Sequence, residues 1–149
     1  KTFFVIIKIK GKRNFSFLFY GRIKMNRDQK QFVNKQSGCN CCQAVLCAFA
    51  DQLDIDETIL KQLGAAFGMG MGGMEGNCGA LIAAQMILGM KEYQGYPINA
   101  QSREILEAFK DACGAITCKD LKGLETGEML CSCNDCIRQA VALVDGQDD

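Results

Sequence analysis

Ten cysteines and no histidine confine the chemistry of this 149-residue chain to sulfur and carboxylate. Without imidazole there is no Ser-His or Cys-His catalytic pair, and no nitrogen ligand for zinc or haem. Four of the cysteines share a setting. Asn40-Cys41, Asn77-Cys78 and Thr117-Cys118 each put a cysteine directly after a residue that favours the helix N-cap. Asn134-Asp135-Cys136 puts a fourth in the first turn of a helix. Unpaired N–H groups and the positive end of the helix dipole meet at such positions. Both favour thiolate over thiol, and both would stabilise an anionic centre held by four thiolates. The sequence therefore predicts four helix starts converging on one sulfur site.

The other cysteines divide. Cys47, within Val45-Leu46-Cys47-Ala48-Phe49, and Cys113, before Gly114, read as small apolar packing residues. Cys39, Cys41 and Cys42 form one local cluster, and Cys131, Cys133 and Cys136 another. The second, C-x-C-x2-C, has enough sulfur for three metal bonds. Neither makes the paired C-x2-C of a zinc ribbon, and no C-x2-C-H for haem attachment occurs. Gly68 to Gly73 formally matches G-x-G-x-x-G, but it follows a helical pattern instead of a strand, so it does not read as a dinucleotide site. Its flexible backbone is better suited to bringing N–H groups toward the sulfur of Cys78. Met69, Met71 and Met74 in the same loop read as apolar contacts more readily than as copper(I) ligands, and Glu75 reads as solvated.

The elements that must position these residues are helical. The pattern predicts an all-α fold, a compact bundle of about five to six helices with a glycine-rich loop. A weakly amphipathic helix is expected over 27–36, and a second from Cys41 to Leu53 with Val45, Phe49 and Leu53 on one stripe. Asp54 or Asp56 caps a third that runs to about Phe67, with Ile59, Leu60 and Leu63 inward. Asn77 opens an almost wholly apolar helix, expected to be central. Further helices run over about 100–112, stopped by Gly114, and over about 135–144, with a short turn from Cys118 between them. The four C-terminal residues, Gly146 to Asp149, are expected to fray.

Residues 1–24 read differently, with seven Lys or Arg, no acid and a strand-like aromatic run at 15–20. They are expected to be an extension upstream of a natural start at Met25, ahead of a helical cysteine-rich domain over 25–149. From Met25 onward the net charge is −7, which argues against a nucleic-acid partner. No apolar run reaches the length of a membrane span or of a secretory core. The chain thus reads as cytoplasmic, where cysteine clusters do metal or redox work more often than they form standing disulfides.

At Cys41-Cys42-Gln43-Ala44-Val45-Leu46, the 67–76 glycine loop, Cys78-Gly79-Ala80, Cys118 and Cys136, the sequence resembles the redox-active family named for its C_GCAxxG_C_C pattern. The likeness runs from about Gly38 to Val144. It implies a small helical protein with four shared cysteines in a redox or metal-cluster role. Carried over, these are Cys41, Cys78, Cys118 and Cys136, beside Gly79, with Cys42 and Cys133 as secondary ligand candidates. Cys42 stands where serine is commoner in the family, and Ala83 replaces the second glycine of its motif. The related module in split-Soret cytochromes implies an iron–sulfur centre, and members encoded near transporter genes imply a transporter-associated redox partner.

Three functions follow as expectations. The first is electron transfer or redox sensing at an iron–sulfur or other metal centre on the four thiolates. The second is thiol–disulfide exchange by a reversible cysteine pair, and the third a structural zinc or soft-metal carrier role. The sequence leaves enzymatic activity, the redox partner and oligomeric state open.

Overall fold

The structure, a computed structural model, describes residues 37–146. The readings for residues 1–36, including the basic extension and the helix over 27–36, and for the last three residues lie outside the described residues. Seven helices and no strand make up the described chain. They are α1 (Cys41–Ala48), α2 (Ala50–Leu53), α3 (Glu57–Gly64), α4 (Gly79–Glu92), α5 (Asn99–Cys113), α6 (Cys118–Leu121) and α7 (Cys133–Asp145). A single 3-10 turn, Ala65–Phe67, continues α3.

The centre of the bundle is α4, which packs against α1, α5 and α7. Its apolarity explains the position. Ala80, Leu81, Ala83, Ala84, Ile87 and Leu88 cover more of its circumference than one neighbour can bury. Ala83, the alanine in place of the motif glycine, is fully buried, so the bundle accommodates its methyl group. Phe49 from α1's end and Phe109 from α5 are also fully buried, each contributing roughly 1.5–3 kcal/mol of apolar burial.

Local structure sharpens or corrects the sequence reading at several points. The expected helix over 41–53 breaks at Phe49, and its second part ends where Asp54 turns left-handed (φ 52°). Asp56 caps α3 by accepting from the Thr58 N–H at 2.7 Å. On α3 only Leu60 is buried among the three residues expected inward. Ile59 and Leu63 are about half exposed, because α3 is a peripheral helix that packs chiefly on α1. Finally, α7 starts two residues early, since Ser132 and not Asn134 is its cap, accepting from the Asp135 N–H at 3.1 Å.

No helix among the described residues is long and apolar enough to cross a membrane.

Candidate thiolate site

Local chemistry brings the cysteine-bearing segments to one end of the bundle. Asn40 caps α1 in a reciprocal capping box with Gln43, each side chain bonding the other's backbone N–H at 2.9 Å. That fixes Cys41 as the first residue of the helix. The Asn40 amide also donates to the carbonyls of Gly64 and Ala65, tying this start to the end of α3.

The glycine loop holds the next two cysteines side by side. Cys78 N–H donates to Ile116 O at 2.8 Å, and Cys118 N–H donates to Gly76 O at 3.0 Å. Lys119 N–H adds a third bond, to Met74 O at 2.9 Å. This ladder, a lone antiparallel bridge between Asn77 and Thr117, joins segments 40 residues apart. The loop must therefore curl tightly, and Met69, Gly70, Met71, Gly72 and Met74 all take positive φ. At Gly70 (φ +56°) a Cβ would stand 2.6 Å from Cys118 Cβ, so the glycine is what lets the loop close over that residue. Met69 and Met71 are exposed, and Glu75, itself mostly exposed, pairs with Lys119 at 3.2 Å.

Gly79, the first residue of α4, serves the contact between α4 and α1. A Cβ there would collide with the Phe67 carbonyl oxygen and stand 2.7 Å from Cys41 Sγ. Only glycine admits the helix start so close to that sulfur. Cys78, the N-cap itself, interacts electrostatically with the thiols of both Cys41 and Cys136. Three of the four sequence-predicted cysteines, Cys41, Cys78 and Cys136, are thus linked through Cys78. Cys118 lies at the border of this group, close enough to interact electrostatically with Cys41, Cys133 and Lys122. Cys42 is fully buried beside them, whereas Cys133 is exposed at the start of α7.

The tightest sulfur cluster includes two residues outside the predicted four. The sulfurs of Cys113, Cys131 and Cys136 lie within 4.8 Å of one another, and all three residues are buried. Cys113 is buried in the core, as its position before Gly114 suggested, and its sulfur also belongs to this group. The signal that was available for Cys131 was its C-x-C-x2-C spacing; for Cys113 there was none. Cys47 keeps its packing role, buried with its sulfur 3.9 Å from Glu57 O. Lys122, after α6, was also missed. Its ammonium donates to Cys131 O at 2.6 Å and lies 3.8 Å from Cys136 Sγ.

Electrostatics correct the sequence reading more strongly. Five of the buried thiols are raised above the ordinary value instead of lowered. Burial, with repulsion from Cys41 and Cys78, pushes Cys42 up to about 12. Donation to Cys136, only partly offset by Cys41, and burial push Cys78 up to about 11. Burial also raises Cys113, Cys118 and Cys47, the last to about 11. Desolvation outweighs the helix termini for a geometric reason. The helix α6 is only four residues long, so Cys118 gains little from its dipole. Lys122 shows the converse balance. Burial alone would lower its ammonium, but Cys136, Cys133 and Cys78 lift it above the ordinary lysine value.

An all-sulfur, largely buried donor set at one end of a helical bundle defines a redox or thiophilic-metal class of protein. The family comparison agrees with this chemistry. Residues 39–146 match the model described as "Putative redox-active protein (C_GCAxxG_C_C)", and the chain belongs to that family. No curated protein and no solved structure matches it.

Proposed function

We propose that the chain is an electron-transfer or redox-sensing protein whose centre, an iron–sulfur cluster or another metal, is bound by Cys41, Cys78, Cys118 and Cys136. The observation that carries this reading is the approach of Cys41 Sγ to the start of α4, beside Cys78, whose thiol interacts with both Cys41 and Cys136. The donor chemistry fits. Every candidate ligand is a cysteine, as iron–sulfur clusters and thiolate zinc sites require, and the described chain contains no imidazole to compete. Such a centre supplies one-electron chemistry if it is iron–sulfur. This chain's residues would hold it, exclude water by burial, and offset its negative charge through Lys122. A cytoplasmic setting and a transporter-associated electron partner accord with this role.

The interaction of Cys78 with two neighbouring thiols also supports a second reading, thiol–disulfide exchange with Cys78 in the reversible pair. Metal content separates the two. Purified anaerobically, a cluster protein contains iron and acid-labile sulfide and is brown. A zinc protein is colourless with one zinc per chain, and a dithiol protein is active without metal. Cys78→Ser is expected to abolish cofactor retention, whereas Cys47→Ser, remote in role though equally buried, is expected to leave it intact. Equal retention by both variants would remove the four-cysteine assignment.

A further inference from the structure

We propose that Cys113, Cys131 and Cys136 form a distinct three-thiolate position for a thiophilic divalent cation, of the class zinc represents, with Lys122 as its counter-charge. This goes beyond the four-cysteine centre, because two of the three ligands lie outside that set. The three sulfurs come from the last residue of α5, the loop before α7, and the second turn of α7, yet all lie within 4.8 Å of one another. Thiolates bound to one zinc ion at about 2.3 Å stand roughly 4 Å apart, so a contraction of under about 1 Å closes the set.

The backbone is arranged to hold that geometry. Leu130 and Cys131 N–H groups both donate to Leu121 O, at 3.0 and 3.2 Å, folding the loop back onto α6. Lys122 adds its own bond to the Cys131 carbonyl, so the residue that fixes this loop also brings positive charge to Cys136. Gly114 (φ 89°) ends α5 immediately after Cys113, and Ser132 caps α7 four residues before Cys136. Three thiolates and one ammonium leave two negative charges, which a divalent ion neutralises. Calcium and magnesium need oxygen donors, and the set has none from side chains.

Cys136 belongs to both ligand sets, and Cys78 interacts with it and with Cys113. A cation in the three-thiolate position would draw Cys136 away from Cys41 and Cys78. Divalent metal and the redox centre are thus expected to compete through this one residue.

The test uses the full chain, reduced and freed of metal, titrated with cobalt(II) and then zinc(II). The Cys41→Ser/Cys118→Ser variant should still bind one cobalt per chain with intense sulfur-to-metal absorption that zinc abolishes. Adding Cys113→Ser and Cys131→Ser to that variant should weaken binding at least 100-fold. Loss of all cobalt binding in the first variant, or equal affinity in the two, overturns the proposal. Should the multiple variant fail to fold, cadmium-113 bound to the unsubstituted chain decides. Scalar coupling to the Cβ protons of Cys113 and Cys131 supports the site, and coupling to neither overturns it. A native redox centre retained by Cys41→Ser/Cys118→Ser would sink the four-cysteine reading alone.

Discussion

The reduced, metal-free protein is expected to lose about 4 kcal/mol of folding stability between pH 8 and pH 10 through three buried thiols. Cys42 is raised to about 12, and Cys47 and Cys78 to about 11, against 9.0 for an ordinary thiol. A group raised by folding favours the protonated native state. Its contribution is therefore whole below the unfolded value near 9 and is lost as pH rises toward the folded value. In that window the unfolded chain releases protons that the folded chain retains, at a cost of about 1.4 kcal/mol per thiol per pH unit. The loss is comparable to the total stability of many small domains. Urea unfolding followed by circular dichroism at pH 8, 9 and 10 measures it. A midpoint unchanged over this range would show that these thiols are not shielded as described. Cys42→Ala, which removes one of the three, should flatten the dependence.

Metal changes the sign of the argument at its ligands. A coordinating thiol is deprotonated outright, so a bound ion removes the alkaline penalty at Cys78 while leaving it at Cys47. High thiol values and a thiolate centre are consistent for this reason. The same crowding of sulfur that keeps the empty chain protonated supplies the ion with its negative charge. It also makes metal uptake release protons, and so steeply dependent on pH.

Helix type, number and the central place of α4 were legible in the sequence because they rest on local patterns, an apolar run around residues 80–88 and caps at Asn40 and Asp56. The same cap patterns singled out Cys41, Cys78 and Cys136, but how they approach one another was not legible. Convergence comes from the 76–78 and 116–119 backbone ladder and from glycine at 79, more than from dipoles aimed at a common anion. The thiol energetics were not legible, since desolvation depends on the tertiary burial of each sulfur. Nor was the pairing of Cys113 with Cys131. It joins a helix end to a loop 18 residues on, and only the return of that loop to Leu121 O brings the two together. The exposure of Ile59 and Leu63 is a similar case. Their periodicity marks an apolar face, and Leu63 lines an open groove with Met86, Met90 and Tyr93 instead of entering the core.

Two glycines in one helix give the second large effect, with opposite signs. Gly79→Ala is expected to destabilise the protein by about 3 kcal/mol, toward the upper end for an overpacked site. Its methyl group would meet the Phe67 carbonyl oxygen, Cys41 Sγ at 2.7 Å and Cys42 Cβ at 3.3 Å. The Phe67 carbonyl and Cys42 Cβ cannot retreat by changing rotamer, and Cys41 Sγ can do so only by turning away from the start of α4. Relief requires the start of α4 to move away from α1, which also separates Cys41 from Cys78. The variant should therefore lose metal as well as stability. Gly89→Ala, ten residues along α4, has no atom within 4 Å of the added methyl. It should gain up to about 1 kcal/mol from helix propensity alone and retain the centre. Thermal unfolding with metal analysis on both variants checks the pair. If Gly79→Ala were as stable and as well loaded as Gly89→Ala, the close approach of α4 to Cys41 would not be what assembles the site.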